Sequence, residues 1–443
     1  MEDTICAVAT SLGVGAISIV RVTGKDAIRI VNPLFKGKDL EKVDSHTVHY
    51  GHIVVDGENI DEVLLVLMRG PKTYTTEDTI EINCHGGINT TNRIMEVLLQ
   101  NGCRLAEPGE FTKRALLNGR ISLLEAESVN DLIVAKTDAS RKLALNNVDG
   151  MLTKKIRNLR EKLAKIISNI EVNIDYPEYE DEVQVTNELI EQFLGEITKE
   201  LNELVSGAKN GRMIKEGINI AIIGRPNVGK SSILNFLLDE EKAIVTDIPG
   251  TTRDVVEGAI TLNGVQLNFI DTAGIRETDD VVEQIGVDKS KQMANSADLV
   301  LFVFNNNDCI LEEELQLLHQ LEKENVLVFI NKSDLEEKIE KNKLSDYSVI
   351  VGNTIDVNGL DGLLQEISKR FLLEQIVSKD MSYISNLRQA DLIHKASEAI
   401  SHANESHRSK MSVDLIEIDL KLAWDYLGEL IGDAYADELV DTI

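Results

Sequence analysis

The chain has 443 residues, enough for about three domains at roughly 150 residues each, and its 43% hydrophobic and 27% charged content is that of a globular protein, which excludes wholesale disorder. Against 46 basic residues stand 75 acidic ones, a formal charge of −29 that opposes nucleic acid and anionic membrane, so any RNA contact must use a local basic patch or a partner. The aromatic share of 4% argues against a stacking platform for single strands. Cys6, Cys84, Cys103 and Cys309 have no CxxC spacing, which argues against zinc ribbons and a disulfide framework. "MEDTICAVAT" lacks a basic stretch followed by an apolar one, and no apolar run approaches about 18 residues, so the expected location is cytoplasmic.

Residues 1–117 mix β-like runs ("AISIVRV", "EVLLVLM", "DTIEINC") with helical stretches such as "TTNRIMEVLLQ", the pattern of an α+β domain. From 118 the period becomes helical: Ile156, Leu159, Leu163, Ile166, Ile167 and Ile170 recur on one face, and after "DYPEYEDE" so do Leu189, Phe193, Ile197, Leu201 and Leu204. Two long antiparallel helices are predicted. The best basic patch, "KKIRNLREKLAK" at 154–165, reads as a solvated helix face. "SGAKNGRMIKEG", 206–217, carries three glycines and is expected to break the helix before an alternating βα domain at 216–375. Residues 376–443 are again helical, with Leu387, Leu392, Ile393, Leu415, Ile418, Leu420, Leu427 and Leu430 on amphipathic faces. The simplest architecture inserts the α/β domain into a split α-helical domain, 118–215 and 376–443.

Within that insert, "INIAIIGRPNVGKSSILNFLL" sets an apolar strand, a G-x-x-x-x-G-K-S loop and a helix in succession. Gly224, Asn227, Val228 and Gly229 would wrap backbone N–H groups around phosphate, Lys230 would reach the β- and γ-phosphates, and Ser231, next to Ser232, would offer a hydroxyl to Mg²⁺. "ITLNGVQLNFIDTAG" reads as a hairpin turning at Asn263-Gly264 and delivering Asp271 to Mg²⁺ through water, with Thr272, Ala273 and Gly274 positioned to sense a γ-phosphate. "VLVFINKSD" adds Asn331, Lys332 and Asp334: the carboxylate accepts from guanine N1–H and the 2-amino group, which adenine cannot satisfy. Three motifs in this order predict a Ras-like P-loop GTPase domain. A fifth element is weak, falling at Gly352-Asn353-Thr354.

"TDIPGTTRD" at 246–254 resembles the effector loop of translation-factor-related GTPases, and "GVGAISIVRVTG", "TYTTEDTIEINCHGG", "AEPGEFTKRALLNGRISLLEAESVNDLI" and "IDYPE" resemble the MnmE (TrmE) family in particular. The resemblance covers nearly the whole chain. It implies a GTPase that works with a flavin-dependent partner of the MnmG (GidA) type to place an aminomethyl or carboxymethylaminomethyl group on C5 of the tRNA wobble uridine. It also implies a homodimer formed by the N-terminal domain, tRNA contact largely through the partner, and a one-carbon unit from 5-formyltetrahydrofolate or a related folate. The folate contacts fall on Arg21, Glu81 and Arg120, the last standing where many relatives have lysine. Without the likeness, Arg21 reads as an exposed strand residue, Glu81 as a solvated strand acid and His85 as a turn histidine.

For hydrolysis, the resemblance points to K⁺ near the β–γ bridge, with Asn227, Thr246, Ile248 and Thr251 as oxygen ligands when two G domains meet, and to Thr252 as a further Mg²⁺ ligand. Asp247, Pro249 and Gly250 complete that loop. Glu283 would orient the water in place of a glutamine, which Ile275 does not supply; read alone, it is an exposed helix acid. The family pattern also implies a C-terminal F-C-[IV]-G-K-like tail, whereas this sequence ends in "DELVDTI"; if the sequence is a truncated form, GTP hydrolysis is expected to survive while tRNA modification is badly impaired. Two other readings remain: a ribosome-assembly or RNA-binding GTPase switch, for which no basic appendage is evident after 375, and a folate-binding scaffold with a signalling G domain.

Overall fold

The computed structural model describes residues 3–175, 187–239, 256–271, 297–377 and 381–433. They fall into two compact units, Met1–Glu127 with Gly428–Ile443, and Ser128–Leu427.

The first unit is built on a seven-stranded sheet of order β3-β4-β5-β6-β2-β1-β7. Its strands are β1 (Ile5–Val8), β2 (Ile17–Thr23), β3 (Phe35–Lys36), β4 (Thr47–Val55), β5 (Glu58–Met68), β6 (Thr79–His85) and β7 (Arg104–Leu105). Only β1 and β7 pair in parallel. The period-2 alternation of β6 sends Ile80, Ile82 and Cys84 into the core, where Ile94, Val97 and Leu98 of the helix Ile88–Gln100 pack on them. Each such fully buried aliphatic contributes about 1.5–3 kcal/mol. Glu81 is thereby turned to the opposite face, opposite Arg21 of β2 in the antiparallel register. The sequence reading began β5 too late: Asp56 and Gly57, both at positive φ (50° and 85°), form the tight turn that starts it at Glu58.

The second unit contains a helical bundle and an α/β fold. Met151–Asp175 and Asn187–Glu216 run antiparallel, joined across their faces by Lys162 and Glu200. Leu387–Arg408 and Val413–Ile431 complete the bundle: Asn404 reaches Thr198 at 3.1 Å, Lys421 reaches Glu171, and the Arg160 guanidinium stacks 4.0 Å above the Trp424 ring. The 154–165 patch is thus partly spent on contacts within the bundle. The expected stripe from Ile156 to Ile170 is buried throughout, but on the next helix the core runs through Ile190, Leu194, Ile197, Leu201 and Leu204, leaving Leu189 and Phe193 at its flank. Of the expected residues Leu392, Ile393, Leu420, Leu427 and Leu430 are buried, but Leu387, Leu415 and Ile418 are exposed, and Ile416 and Ala423 take the core instead.

The helix break expected at 206–217 does not occur. Asn187–Glu216 is continuous, and the chain leaves it only at Gly217, where φ is +86°. Gly207 and Gly211 lie one turn apart for a packing reason: a Cβ at Gly211 would stand 2.0 Å from the Ile384 carbonyl oxygen, and one at Gly207 would stand 3.0 Å from Tyr383 Cδ1. The sequence signalled a breaker where the structure has a groove for a crossing segment.

The α/β fold has the order β13-β12-β11-β8-β10-β9. It comprises β8 (Ile218–Ile223), β9 (Val256–Leu262), β10 (Val265–Asp271), β11 (Leu299–Asn305), β12 (Val326–Asn331) and β13 (Ser348–Val351). All neighbours are parallel except β9, which forms the expected hairpin with β10 about Asn263 and Gly264 at φ 49° and 85°. This is the Ras-like topology: an inner strand whose C-terminal end feeds the phosphate loop, flanked on both sides by parallel strands.

Candidate guanine-nucleotide site and N-terminal pocket

β8 ends at Ile223, and its register beside β10 and β11 places the loop 224–229 at the carboxyl edge of the sheet. Gly224 approaches the Val303 carbonyl so closely that a Cβ would lie 2.5 Å from its oxygen. Asn227 takes a left-handed φ of 65°. The helix Lys230–Asp239 begins at once, its first turn closed by the Ile233 amide on the Gly229 carbonyl at 2.9 Å, so its N-terminal amides open onto the loop. Lys230 Nζ donates to the carbonyls of Gly224 and Arg225 at 2.8 and 2.9 Å. Ser231 and Ser232 lie at the helix start, both exposed. Arg225, which motif reasoning passed over, anchors the loop from outside through Glu314, 2.8 Å away and buried.

β12 carries the base-recognition string to the same edge. Asn331 Nδ2 donates to the Val228 carbonyl at 3.0 Å, and Lys332, at φ 62°, donates from Nζ to the Asn227 carbonyl at 2.9 Å. Asn331 Oδ1 is buried without a hydrogen-bond partner among the described residues. Asp334 is exposed beside them. Gly352 and Asn353, of the weak fifth element, contact the base string: the Ser333 amide donates to the Gly352 carbonyl at 3.0 Å, and buried Asn353 reaches Ser333 Oγ at 3.1 Å while its Oδ1 accepts from the Ile355 and Asp356 amides. Asn353 therefore organises its own loop as an Asx turn and ties it to the base string.

Asp271 closes β10, its backbone in register with Ile222 of β8. Thr246, Asp247, Ile248, Pro249, Gly250, Thr251, Thr252, Thr272, Ala273, Gly274 and Glu283 lie outside the described residues.

In the first unit, Arg21 and Glu81 meet directly, Arg21 Nε donating to Glu81 Oε1 at 2.8 Å. The Arg21 guanidinium lies 5.5 Å from the Phe111 ring centroid. Arg120 sits farther along: its Nη1 donates to the Tyr74 carbonyl at 3.0 Å, its guanidinium lies 4.8 Å over the Tyr74 ring, and Tyr74 Oη is 3.0 Å from Thr112 Oγ1. The contacts form two clusters, Arg21 with Glu81 and Phe111, and Arg120 with Tyr74 and Thr112, which follow one another at Phe111 and Thr112 in the chain. Tyr74 and Phe111 went unnoticed in the sequence because nothing in an isolated aromatic marks it as lining a site.

The segment carrying Tyr74 is held from beneath. Arg114 is 1% exposed and donates to Glu77 Oε2 at 3.0 Å, to Asp3 Oδ1 at 2.8 Å and to Glu110 Oε1 at 3.0 Å. Arg104 adds both Glu110 oxygens and Asp3 Oδ2. The hydrogen bond from Arg104 holds Asp3 below the usual carboxylate range. Burial works to raise Glu110, but Arg104, the Glu107 amide and Arg114 together bring it below that range. Outside this network His85, paired with Asp61 at 2.8 Å, is shifted upward by that hydrogen bond.

A phosphate loop, a base string on a strand end of the same sheet edge and Ras-like strand order define a P-loop GTPase fold, in a chain that also holds a helical bundle and an α+β sheet domain. A family model described as the MnmE helical domain matches residues 123–443, and one described as the GTP-binding protein TrmE N-terminus matches residues 4–120. The chain belongs to the MnmE family of tRNA modification GTPases. It is 47% identical to the tRNA modification GTPase MnmE of Bacillus cytotoxicus over 447 aligned residues, covering 100% of this chain and 98% of that one. It is 49% identical to that of Streptococcus thermophilus (99% and 96% covered) and 45% identical to that of Oceanobacillus iheyensis (100% and 97%). Among the described residues no helix is long and apolar enough to cross a membrane.

Proposed function

We propose that this protein hydrolyses GTP as the motor component of the cytoplasmic enzyme complex that builds an aminomethyl or carboxymethylaminomethyl group on C5 of the tRNA wobble uridine. The observation that carries this is the coincidence of full-length identity to proteins named for tRNA modification with a phosphate loop locked to a guanine-type string through Asn331 and Val228.

Lys230 and the amides at the start of its helix would hold the β- and γ-phosphates, and Asp334 would accept from the guanine edge. Ser231 on the phosphate-loop helix and Asp271 at the end of adjacent β10 are hard oxygen donors on neighbouring elements, the donor chemistry that suits Mg²⁺. Bound there with Thr252, Mg²⁺ would neutralise charge on the β- and γ-phosphate oxygens. Asn227, Thr246, Ile248 and Thr251 would hold K⁺, which supplies the positive charge an arginine finger gives elsewhere, and Glu283 would orient the attacking water. Thr272, Ala273 and Gly274 would report the γ-phosphate, and Asp247, Pro249 and Gly250 would shape the effector loop.

The N-terminal unit would bind a folate. Its carboxylate, guanidinium and aromatic faces suit a flat heteroaromatic ring with amino and amide edges, and a folate bound there would supply the one-carbon unit. Arg21 and Glu81 would orient the ring edge while Arg120 reaches its anionic tail. A homodimer through this unit is supported by its outer sheet face, where Val48, Tyr50, Leu64 and Ile17 are each at least half exposed. With a charge of −29, tRNA would be met largely through a flavin-dependent partner of the MnmG type.

The test measures GTP turnover in K⁺ and in Na⁺, then mass-resolved wobble nucleoside after adding tRNA, folate and the flavoprotein. K⁺-stimulated turnover with a modified uridine supports the reading. Because the sequence ends in "DELVDTI", the assay is run also with an F-C-[IV]-G-K-like tail appended; turnover without any modified uridine in that form overturns the tRNA assignment, and equal rates in both salts overturn the cation assignment.

A further inference from the structure

The chain passes between the helical bundle and the G fold twice, inward from Lys215 to Ile218 and outward from Met381 to Ser385. Both passages are held by one side chain. Asp131, 10% exposed on the helix Leu123–Val134, accepts at Oδ1 from Lys215 Nζ at 2.8 Å and at Oδ2 from Ser385 Oγ at 3.0 Å. The outward passage is fixed along its length as well. Asn146 Nδ2 donates to the Met381 carbonyl at 2.7 Å, Asn147 Nδ2 to the Tyr383 carbonyl at 3.1 Å, and the Ser385 amide to Gln389 Oε1 at 3.1 Å. Because Gly211 has no side chain, the Ile384 carbonyl lies directly on the inward helix.

The same joint touches the hairpin that serves the nucleotide. Ala139 and Leu143, on the helix Asp138–Val148, share one buried cluster with Val265 and Leu267 of β10 and with Met381. At the hairpin turn a Cβ on Gly264 would stand 3.2 Å from the Ala139 Cβ. β9 follows the 246–254 segment in the chain, and β10 leads to Asp271, so the hairpin has its turn on the joint and its far ends at the nucleotide loops. A buried ion pair adds little net stability once desolvation is counted, and in some proteins its contribution is instead to select one arrangement of the groups it joins.

We infer that Asp131 is a positioning residue: it fastens both chain crossings to the helical bundle, so that a displacement of the β9–β10 hairpin moves the G fold as one body about this joint. The inference needs only a nucleotide-dependent G fold and stands apart from which tRNA group is made.

The test uses the full chain with nitroxide labels at Cys309, the exposed native cysteine of the G fold, and at Glu405→Cys on the Leu387–Arg408 helix, diluted with unlabelled chain. Dipolar distances are recorded without nucleotide, with GDP and with a non-hydrolysable GTP analogue. The parent should give one narrow distance in each state. Asp131→Asn and Ser385→Ala should roughly double its width while the kcat and KM for GTP stay within about twofold, and Asp131→Glu should restore the narrow distance. If Asp131→Asn fails to fold, Ser385→Ala decides the same question. A variant that melts lower but keeps the parent width would reduce Asp131 to a stabilising contact and overturn the proposal, as would a parent whose own distance is broad.

Discussion

The carboxamide of Asn331 lies 3.0 Å from the Val228 carbonyl, which makes the guanine string and the phosphate loop parts of one rigid edge. Gly229 exists at that contact because a Cβ there would stand 2.1 Å from Asn331 Nδ2, on a backbone with φ of 104°. Asn331→Ala should leave the buried Val228 carbonyl unpaired, cost about 1–3 kcal/mol in thermal unfolding and weaken GTP binding measured by calorimetry. Gly229→Ala should abolish GTP binding outright. Retained affinity in Gly229→Ala would show that the loop and the string are independent.

Asp334 gives a prediction of specificity rather than stability. It is exposed, so Asp334→Asn should leave the melting temperature close to that of the parent. The new amide would donate where the carboxylate accepted, a mismatch to the guanine edge and a match to the C2 carbonyl of xanthine. GTP affinity should fall by about 10–100-fold and XTP affinity should rise. Competition between the two nucleotides measures both at once, and an unchanged preference would remove Asp334 from base recognition.

The phosphate loop, the Asn263-Gly264 hairpin and the base string were legible because each rests on local backbone chemistry: a glycine that permits close approach, a turn with two positive φ values, a strand that ends where a loop must begin. Arg21 and Glu81 were legible only by resemblance, since their meeting depends on the β2–β6 register, a long-range choice that no local pattern encodes. Arg114 and Asp131 were not legible at all. Each is an ordinary charged residue on a helix until distant segments close over it, and the same distance in sequence hid Ile384, whose carbonyl explains why a glycine stands at 211 inside a continuous helix.

Glycine in a helix interior costs about 1 kcal/mol relative to alanine, so two glycines of the same helix make a matched pair. Gly195 is exposed and a Cβ added there would meet nothing within 4 Å, so Gly195→Ala should raise the melting temperature by the equivalent of up to about 1 kcal/mol. At Gly211 the Cβ would meet the Ile384 carbonyl at 2.0 Å, and the overpacking of about 1–3 kcal/mol outweighs the propensity gain. Gly211→Ala should therefore melt lower than the parent. Opposite signs in two melting curves are the expected result; a stabilising Gly211→Ala would mean that the 381–385 segment does not lie on this helix.

The carboxylates around Arg114 set how the N-terminal unit responds to acid. Asp3 and Glu110 are held below their ordinary values of 3.8 and 4.5, so the folded state binds fewer protons than the unfolded chain in this range. Their contribution is complete above about pH 4.5 and is lost as the pH falls through the lowered folded values. Arg114→Met removes the 1%-exposed cation and leaves Glu77 and Glu110 with less compensation, which should cost about 3–5 kcal/mol at pH 7. The variant's carboxylates should then titrate higher, so protonating them relieves part of the defect, and the gap between parent and variant should narrow as the pH is lowered from 7 towards 4. Urea unfolding of both proteins across that range measures the gap, and a gap that stays constant would show that Arg114 acts through packing and not through charge.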